Sequence, residues 1–185
     1  RPGEVDLHLF NEGTHRYIHR FLGAHFGVDG DCQLAVWAPD AEQVEVIGDF
    51  TGWSESIALD PLAESGIWVG NVADVTPGDA YRYVIVGADG ERRERSDPVA
   101  AANHEPPSTA SIVTDLSHDW NDAEWMRHRR ATVDPAAPIS IYEVHLGSWG
   151  RLLSPGRRWP TYYELADPLA DHALAHGFTH VELLP

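Results

Sequence analysis

From Cys32 onward the chain reads in period two. Cys32-Gln33-Leu34-Ala35-Val36-Trp37 alternates and then breaks at the turn Ala38-Pro39-Asp40. Val44-Glu45-Val46-Ile47-Gly48 is a second strand-like run, Ile67-Trp68-Val69-Gly70-Asn71-Val72 a third. Thr76-Pro77-Gly78-Asp79 turns into a fourth, Tyr81-Arg82-Tyr83-Val84-Ile85-Val86, and Ala88-Asp89-Gly90 sends the chain back through residues 91–95, a hairpin signal. Strands put successive side chains on opposite faces, so a run of this kind has one face for a core. Several short runs separated by Pro, Gly and Asp turns predict an antiparallel β-sandwich, immunoglobulin-like in architecture.

Neither end of the chain keeps this period. Residues 5–22 predict a helix whose Leu7, Phe10, Tyr17, Ile18 and Phe21 share an apolar side, with Gly13 as an internal weak point. Residues 97–111, rich in Pro, Ala and Ser, predict an irregular connection. Residues 120–130 predict a short helix with Asp122 near its start, and 131–138, with Pro135 and Pro138, a linker. Beyond it, residues 139–146 read as a strand. Thr161-Tyr162-Tyr163-Glu164 fits a capping box, in which the Thr hydroxyl and the Glu carboxylate satisfy free N–H groups at a helix start. Leu165, Leu169 and Ala173 follow on one face, Gly177 supplies the stop, and 179–184 is the next strand. A strand–helix–strand unit implies parallel strands with a right-handed crossover. Pro168 conflicts with it: a proline in a helix interior removes an N–H, so the helix should kink there or begin later than Thr161. A parallel pair needs neighbours and helical cover. The chain opens Arg1-Pro2-Gly3 and stops after this second strand, so both ends are expected to be interruptions.

Charge narrows the partners. The net charge is −16, and all thirteen basic residues are Arg. Such a chain repels polyanions, since nucleic-acid affinity rests on neutralising phosphates; a neutral polymer is indifferent to it. No run approaches the roughly 18 to 20 apolar residues of a membrane span, and no secretory signal opens the chain. With Cys32 as the one cysteine, no intrachain disulfide forms, which suits a reducing cytoplasm; flanked by strand sequence, it is expected as a buried thiol. His15 with His19, and His172 with His176, stand at helical i, i+4 spacing. That spacing can hold zinc, but neither pair has the following Glu or a third ligand, so solvated helix faces, with no metal and no cofactor, are the expectation.

Four stretches carry a resemblance. They are Leu22-Gly23-Ala24-His25 with Val36-Trp37-Ala38-Pro39; Gly48-Asp49-Phe50-Thr51-Gly52-Trp53; Tyr142-Glu143-Val144-His145-Leu146-Gly147-Ser148-Trp149; and Gly177-Phe178-Thr179-His180-Val181-Glu182-Leu183-Leu184-Pro185. In this order they resemble bacterial glycogen (1,4-α-glucan) branching enzymes of the α-amylase superfamily. The first two are similar to the starch-binding sandwich module shared by several glucan-active enzymes; the third resembles the first barrel strand of branching enzymes. The resemblance implies a helical lead-in over 1–21, a β-sandwich glucan-binding module over 22–113, a linker over 114–138, and over 139–185 the first β-α-β of a (β/α)8 catalytic barrel, two strands of eight. It implies a parent enzyme that builds α-1,6 branches in glycogen by retaining transglycosylation, with its catalytic carboxylates outside these residues. This stretch would at most bind α-glucan, whether glycogen or maltooligosaccharide. The module alone also allows a debranching enzyme, a maltooligosyltrehalose trehalohydrolase, or a non-catalytic glucan-binding protein. Gly150 stands where the family usually carries Arg, Pro168 is unusual in a first barrel helix, and the turn at 87–91 lacks the second Trp of some related glycogen-binding modules.

A pyranose has an apolar C–H face that a flat indole covers while polar groups bond its hydroxyls. Trp53, at a strand end beside a Gly-rich turn and at the position of a sugar-stacking Trp in related modules, is the leading glucan contact; Trp68 and Arg82 are further candidates. Trp37 reads as structural. Glu143 and Glu182, both on predicted barrel strands, read as carboxylates bonded inside a barrel. His145 reads either as a sugar contact or as a satisfied buried histidine.

Overall fold

The computed structural model describes residues 2–27, 30–132, 134, 136–150 and 159–184. The predicted alternation is realised as two antiparallel sheets. Sheet A has the order β1 (Gly23–Phe26), β2 (Cys32–Trp37), β6 (Ile67–Val72), β5 (Asp60–Pro61). Sheet B has the order β4 (Ile57–Ala58), β3 (Ala41–Gly48), β7 (Ala80–Gly87), β10 (Ser111–Ile112), β9 (Ala102–Asn103), with β8 (Arg92–Arg95) also paired to β7. The backbone of β7 thus pairs with β3 along one edge and with β8 and β10 in succession along the other.

Leu34 and Val36 of β2, Val44 and Val46 of β3, Val72 of β6, and Tyr81 and Tyr83 of β7 interdigitate between the sheets, all buried. Two phenols in a core need partners. Tyr81 donates to Asp97 Oδ2 at 2.6 Å, and Tyr83 Oη lies 3.2 Å from Ala35 O and 3.3 Å from the same Asp97 oxygen. The Val99 N–H also donates to Asp97, and the Asp97 N–H to Ser111 Oγ. Burial raises the Asp97 carboxyl above its usual range, and these donors oppose the rise. The stretch predicted as irregular over 97–111 therefore closes the sandwich with two short strands and a buried polar hub; its Pro and Ala content concealed both. Cys32 is fully buried, and burial pushes its thiol up to about 11, which keeps it protonated.

The helix predicted over 5–22 is two pieces. α1 (Glu4–Asn11) begins with Asp6 accepting the Gly3 N–H at 2.9 Å and ends before Gly13, whose φ of +71° leaves the helical region; a 3-10 turn, Ile18–Arg20, follows. Leu7, Phe10, Ile18, Phe21 and Leu22 pack on Ala35, Ile67 and Val69, the residues of β2 and β6 that point away from the core. The middle of β2 and β6 is thus covered on both faces.

The chain divides into two units, Arg1–His118 and Asp119–Pro185. The second holds α2 (Ala123–Thr132), β11 (Ile141–His145), α3 (Tyr162–Ala175) and β12 (His180–Leu184). Thr161 caps α3: its hydroxyl accepts the Glu164 N–H at 3.2 Å, and the Glu164 carboxylate accepts the Thr161 N–H at 2.8 Å. The helix starts at the predicted cap and runs through Pro168 to Ala175, so the later start that the proline suggested is not taken. Gly177, at φ +74°, follows it. β11 and β12 pair in parallel, from Ile141 opposite His180 to His145 opposite Leu184. Val144 and Leu165 are buried, and Tyr142 packs its ring 5.0 Å from both His172 and Phe178.

Candidate functional site

The turn Gly48-Asp49-Phe50-Thr51-Gly52-Trp53 is built residue by residue. Gly48 is required by space: a Cβ there would lie 2.4 Å from Ala80 O and 2.8 Å from the Phe50 ring. Thr51 Oγ1 accepts the Gly48 N–H at 3.1 Å and donates back to Gly48 O at 3.0 Å, closing a short 3-10 turn over Asp49–Thr51. Phe50 packs against the core. Gly52 at φ +60° reverses the chain, and Trp53 follows, also at φ +60°. A left-handed bulky residue stores strain on the order of 1–3 kcal/mol, and such strain collects at binding sites.

What holds Trp53 there is Asp49. One carboxylate oxygen accepts the Trp53 indole N–H at 2.7 Å and the other accepts the Ala80 N–H at 2.8 Å. Those two donors, the Ala80 amide first, hold the Asp49 carboxyl below its usual range. The indole is thereby fixed at its nitrogen edge and 39% exposed.

Trp53 stands beside the outer face of sheet B. There Ile47 is opposite Arg82, and Glu45 is opposite Val84, which is opposite Glu94. The Arg82 guanidinium lies 5.6 Å from the centre of the Trp53 ring and donates to Glu94 at 2.7 Å, while its Nε is buried without a hydrogen-bond partner. Arg92 bonds both oxygens of Glu45, at 3.2 Å to Oε1, and the same carboxylate accepts from Gln43 and Ser56 at 2.6 Å each. Glu45 is 6% exposed, and these bonds, Arg92 first, hold its carboxyl below the usual range. Ile47 and Val84 floor a cleft of about 210 Å³, walled by Trp53 and rimmed by Ser54, Ser56, Arg92 and Glu94.

Of the three sequence candidates, the structure brings Trp53 and Arg82 together and sets Trp68 apart. Trp68 lies on sheet A, packs against the core between the sheets and donates its indole N–H to Ala38 O at 3.0 Å, so it has no place in this cleft. Ser56, Glu45, Arg92 and Glu94 were missed; the strand register that gathers them is set by turn geometry, and the alternation alone marks them only as outward-facing. Trp37, read as structural, is 54% exposed and meets Phe10 edge-on at 6.1 Å. In the second unit, Glu143 and Glu182 are register partners on β11 and β12, both exposed there. His145 is exposed too and pairs with Ser148 Oγ at 2.9 Å. His15 is not a solvated residue: it bonds Asp6 at 3.0 Å and accepts the Tyr17 N–H. The His172 and His176 rings stack at 4.2 Å.

The module thus carries a fixed, exposed indole above a polar cleft. Residues 21–100 match the family described as carbohydrate-binding module 48 (isoamylase N-terminal domain). Over 99% of its length the chain is similar to the N-terminal region of 1,4-alpha-glucan branching enzymes GlgB: 48% identical to that of Nocardia farcinica and 45% to that of Rhodococcus jostii, each over 191 residues. The chain spans 25% of either relative. Among solved structures, PulA from Klebsiella oxytoca matches 89% of the chain, 17% of its own length, at a TM-score of 0.60 and 27% identity. Klebsiella pneumoniae pullulanase complexed with maltotriose matches the same share at a TM-score of 0.60 and 26% identity.

Proposed function

We propose that this chain is the N-terminal part of a 1,4-α-glucan branching enzyme, working in the cytoplasm, and that its module holds α-glucan on the outer face of sheet B. The similarity to branching enzymes along 99% of the chain carries the first half of this reading. The pairing of Trp53 with Arg82 carries the second. The indole offers a flat apolar surface to a pyranose C–H face. The Arg82 guanidinium, 5.6 Å from the ring centre and bonded to Glu94, helps hold that indole beside the cleft.

Residues 139–185 are the opening of a (β/α)8 barrel in this reading. The parallel pair β11 and β12, joined through α3, supports it, as does the exposure of β12 along its whole length, which suits a strand awaiting a further neighbour. The glycosyl transfer would proceed by two carboxyl groups, one attacking the anomeric carbon and one protonating the leaving oxygen, with a glucan 6-hydroxyl replacing water in the second half. Those carboxyls belong to other barrel strands. The sandwich keeps polymer near them.

Debranching and trehalose release are the competing activities that the module alone allows. The test is to incubate the protein that carries this segment with linear α-1,4-glucan and follow anomeric proton signals. A gain of α-1,6 linkages is expected. Their loss from glycogen, or the release of trehalose, would sink the branching reading.

A further inference from the structure

We infer that the cleft beside Trp53 takes a single glucosyl unit and does not extend into a run of subsites. The inference rests on the glucan reading above and concerns how much of the polymer this face grips.

Size is the first argument. The cleft is about 210 Å³, below the roughly 300–1,000 Å³ of pockets that hold drug-sized ligands. A longer oligosaccharide would have to lie along the sheet beyond it, stacked on further rings. Among the described residues, Trp53 is the only exposed large aromatic on sheet B or in the turns that border it.

The walls are the second. Past Val84 the surface is spanned by Arg92, which crosses to Glu45 on β3 and is held there through both carboxylate oxygens. Seating a second sugar on that strip requires displacing Arg92 and leaving Glu45, which is 6% exposed, without its counter-charge. An uncompensated buried charge is strongly unfavourable. On the other side of Val84, Glu94 ties down Arg82. The strip that would carry the next sugars is therefore occupied by ion pairs that already satisfy one another.

The unit that enters meets the Trp53 ring as its one aromatic surface, with Ile47 and Val84 beneath, and an edge of polar side chains in Ser54, Glu55, Ser56, Arg92 and Glu94. A neutral polyhydroxylated ring fits this mixture. The module then works as a point anchor, indifferent to how long the bound chain is.

The experiment is an NMR titration of the full 185-residue chain with methyl α-glucoside, maltose and maltoheptaose, in wild type and Trp53→Ala. Expected are association constants that, divided by the number of glucosyl units, agree within about threefold, each lost in the variant. A maltoheptaose constant more than about tenfold higher per unit overturns the inference and leaves the glucan reading standing. If no sugar binds, or Trp53→Ala binds as wild type does, the glucan reading of this face falls and the inference falls with it.

Discussion

The two sheets of the sandwich share one core and treat their other faces in opposite ways. The outer face of sheet A presents Ala35, Ile67 and Val69, and the chain covers them with its own first residues, from Leu7 to Leu22. The outer face of sheet B presents Glu45, Ile47, Arg82, Val84 and Glu94, and among the described residues its long side chains bond across it instead. The contrast teaches where binding can be read. A face that is apolar and covered reports on stability; a face whose charges are paired around one fixed aromatic ring is the one on which the proposed glucan contact rests.

The strongest challenge to this contrast is Phe21→Ala. Phe21 is 6% exposed and sits between sheet A and α1, so its loss should cost about 3–5 kcal/mol by urea unfolding and leave sugar affinity unchanged. A cost below about 1 kcal/mol would mean the cover contributes little. Next is Gly48→Ala. The added methyl meets Ala80 O and Phe50, and overpacking of this kind costs about 1–3 kcal/mol. This variant should lose stability and sugar binding together, because the strand end and the Trp53 turn share that contact. Trp53→Gly should separate them: glycine accepts the left-handed φ, so stability should stay within about 1 kcal/mol while maltoheptaose binding disappears. The smallest effect concerns pH. The Glu45 carboxyl titrates below its usual range when folded, so its stabilisation is present at neutral pH and is lost as pH falls below the ordinary Glu value near about 4.3. Glu45→Gln should flatten the acid limb of the stability profile by a fraction of a kilocalorie per mole up to about 1 kcal/mol. An unchanged acid limb would remove Glu45 from the account of that face.

Legibility followed the same division. The core strands were readable because alternation at Cys32, Leu34 and Val36, or at Val44 and Val46, follows directly from which face is buried. The turn that carries Trp53 was readable because its residues form a motif. The α3 cap was readable because Thr161 and Glu164 satisfy each other locally. What the sequence hid depends on long-range pairing. Asp97 draws together Tyr81, Tyr83 and Ser111, each more than a dozen residues away, and nothing local marks that meeting. The two charge pairs of the site have the same origin, since Glu45 and Arg92 meet only once β3, β7 and β8 are in register. Trp68, the further candidate on β6, turns toward the core, because the alternation of that strand places it with Val72 on the core side.

The cover over sheet A has a consequence for synthesis. A ribosome releases α1 and the turn after it before β6, the strand they protect, has been made. An eight-residue helix does not hold itself together in water. Leu7, Phe10, Ile18 and Phe21 therefore wait uncovered until Ile67 and Val69 arrive. Their contacts with sheet A form only after β6 has been made, so this cover is added to the sheet from residues that were synthesised before it.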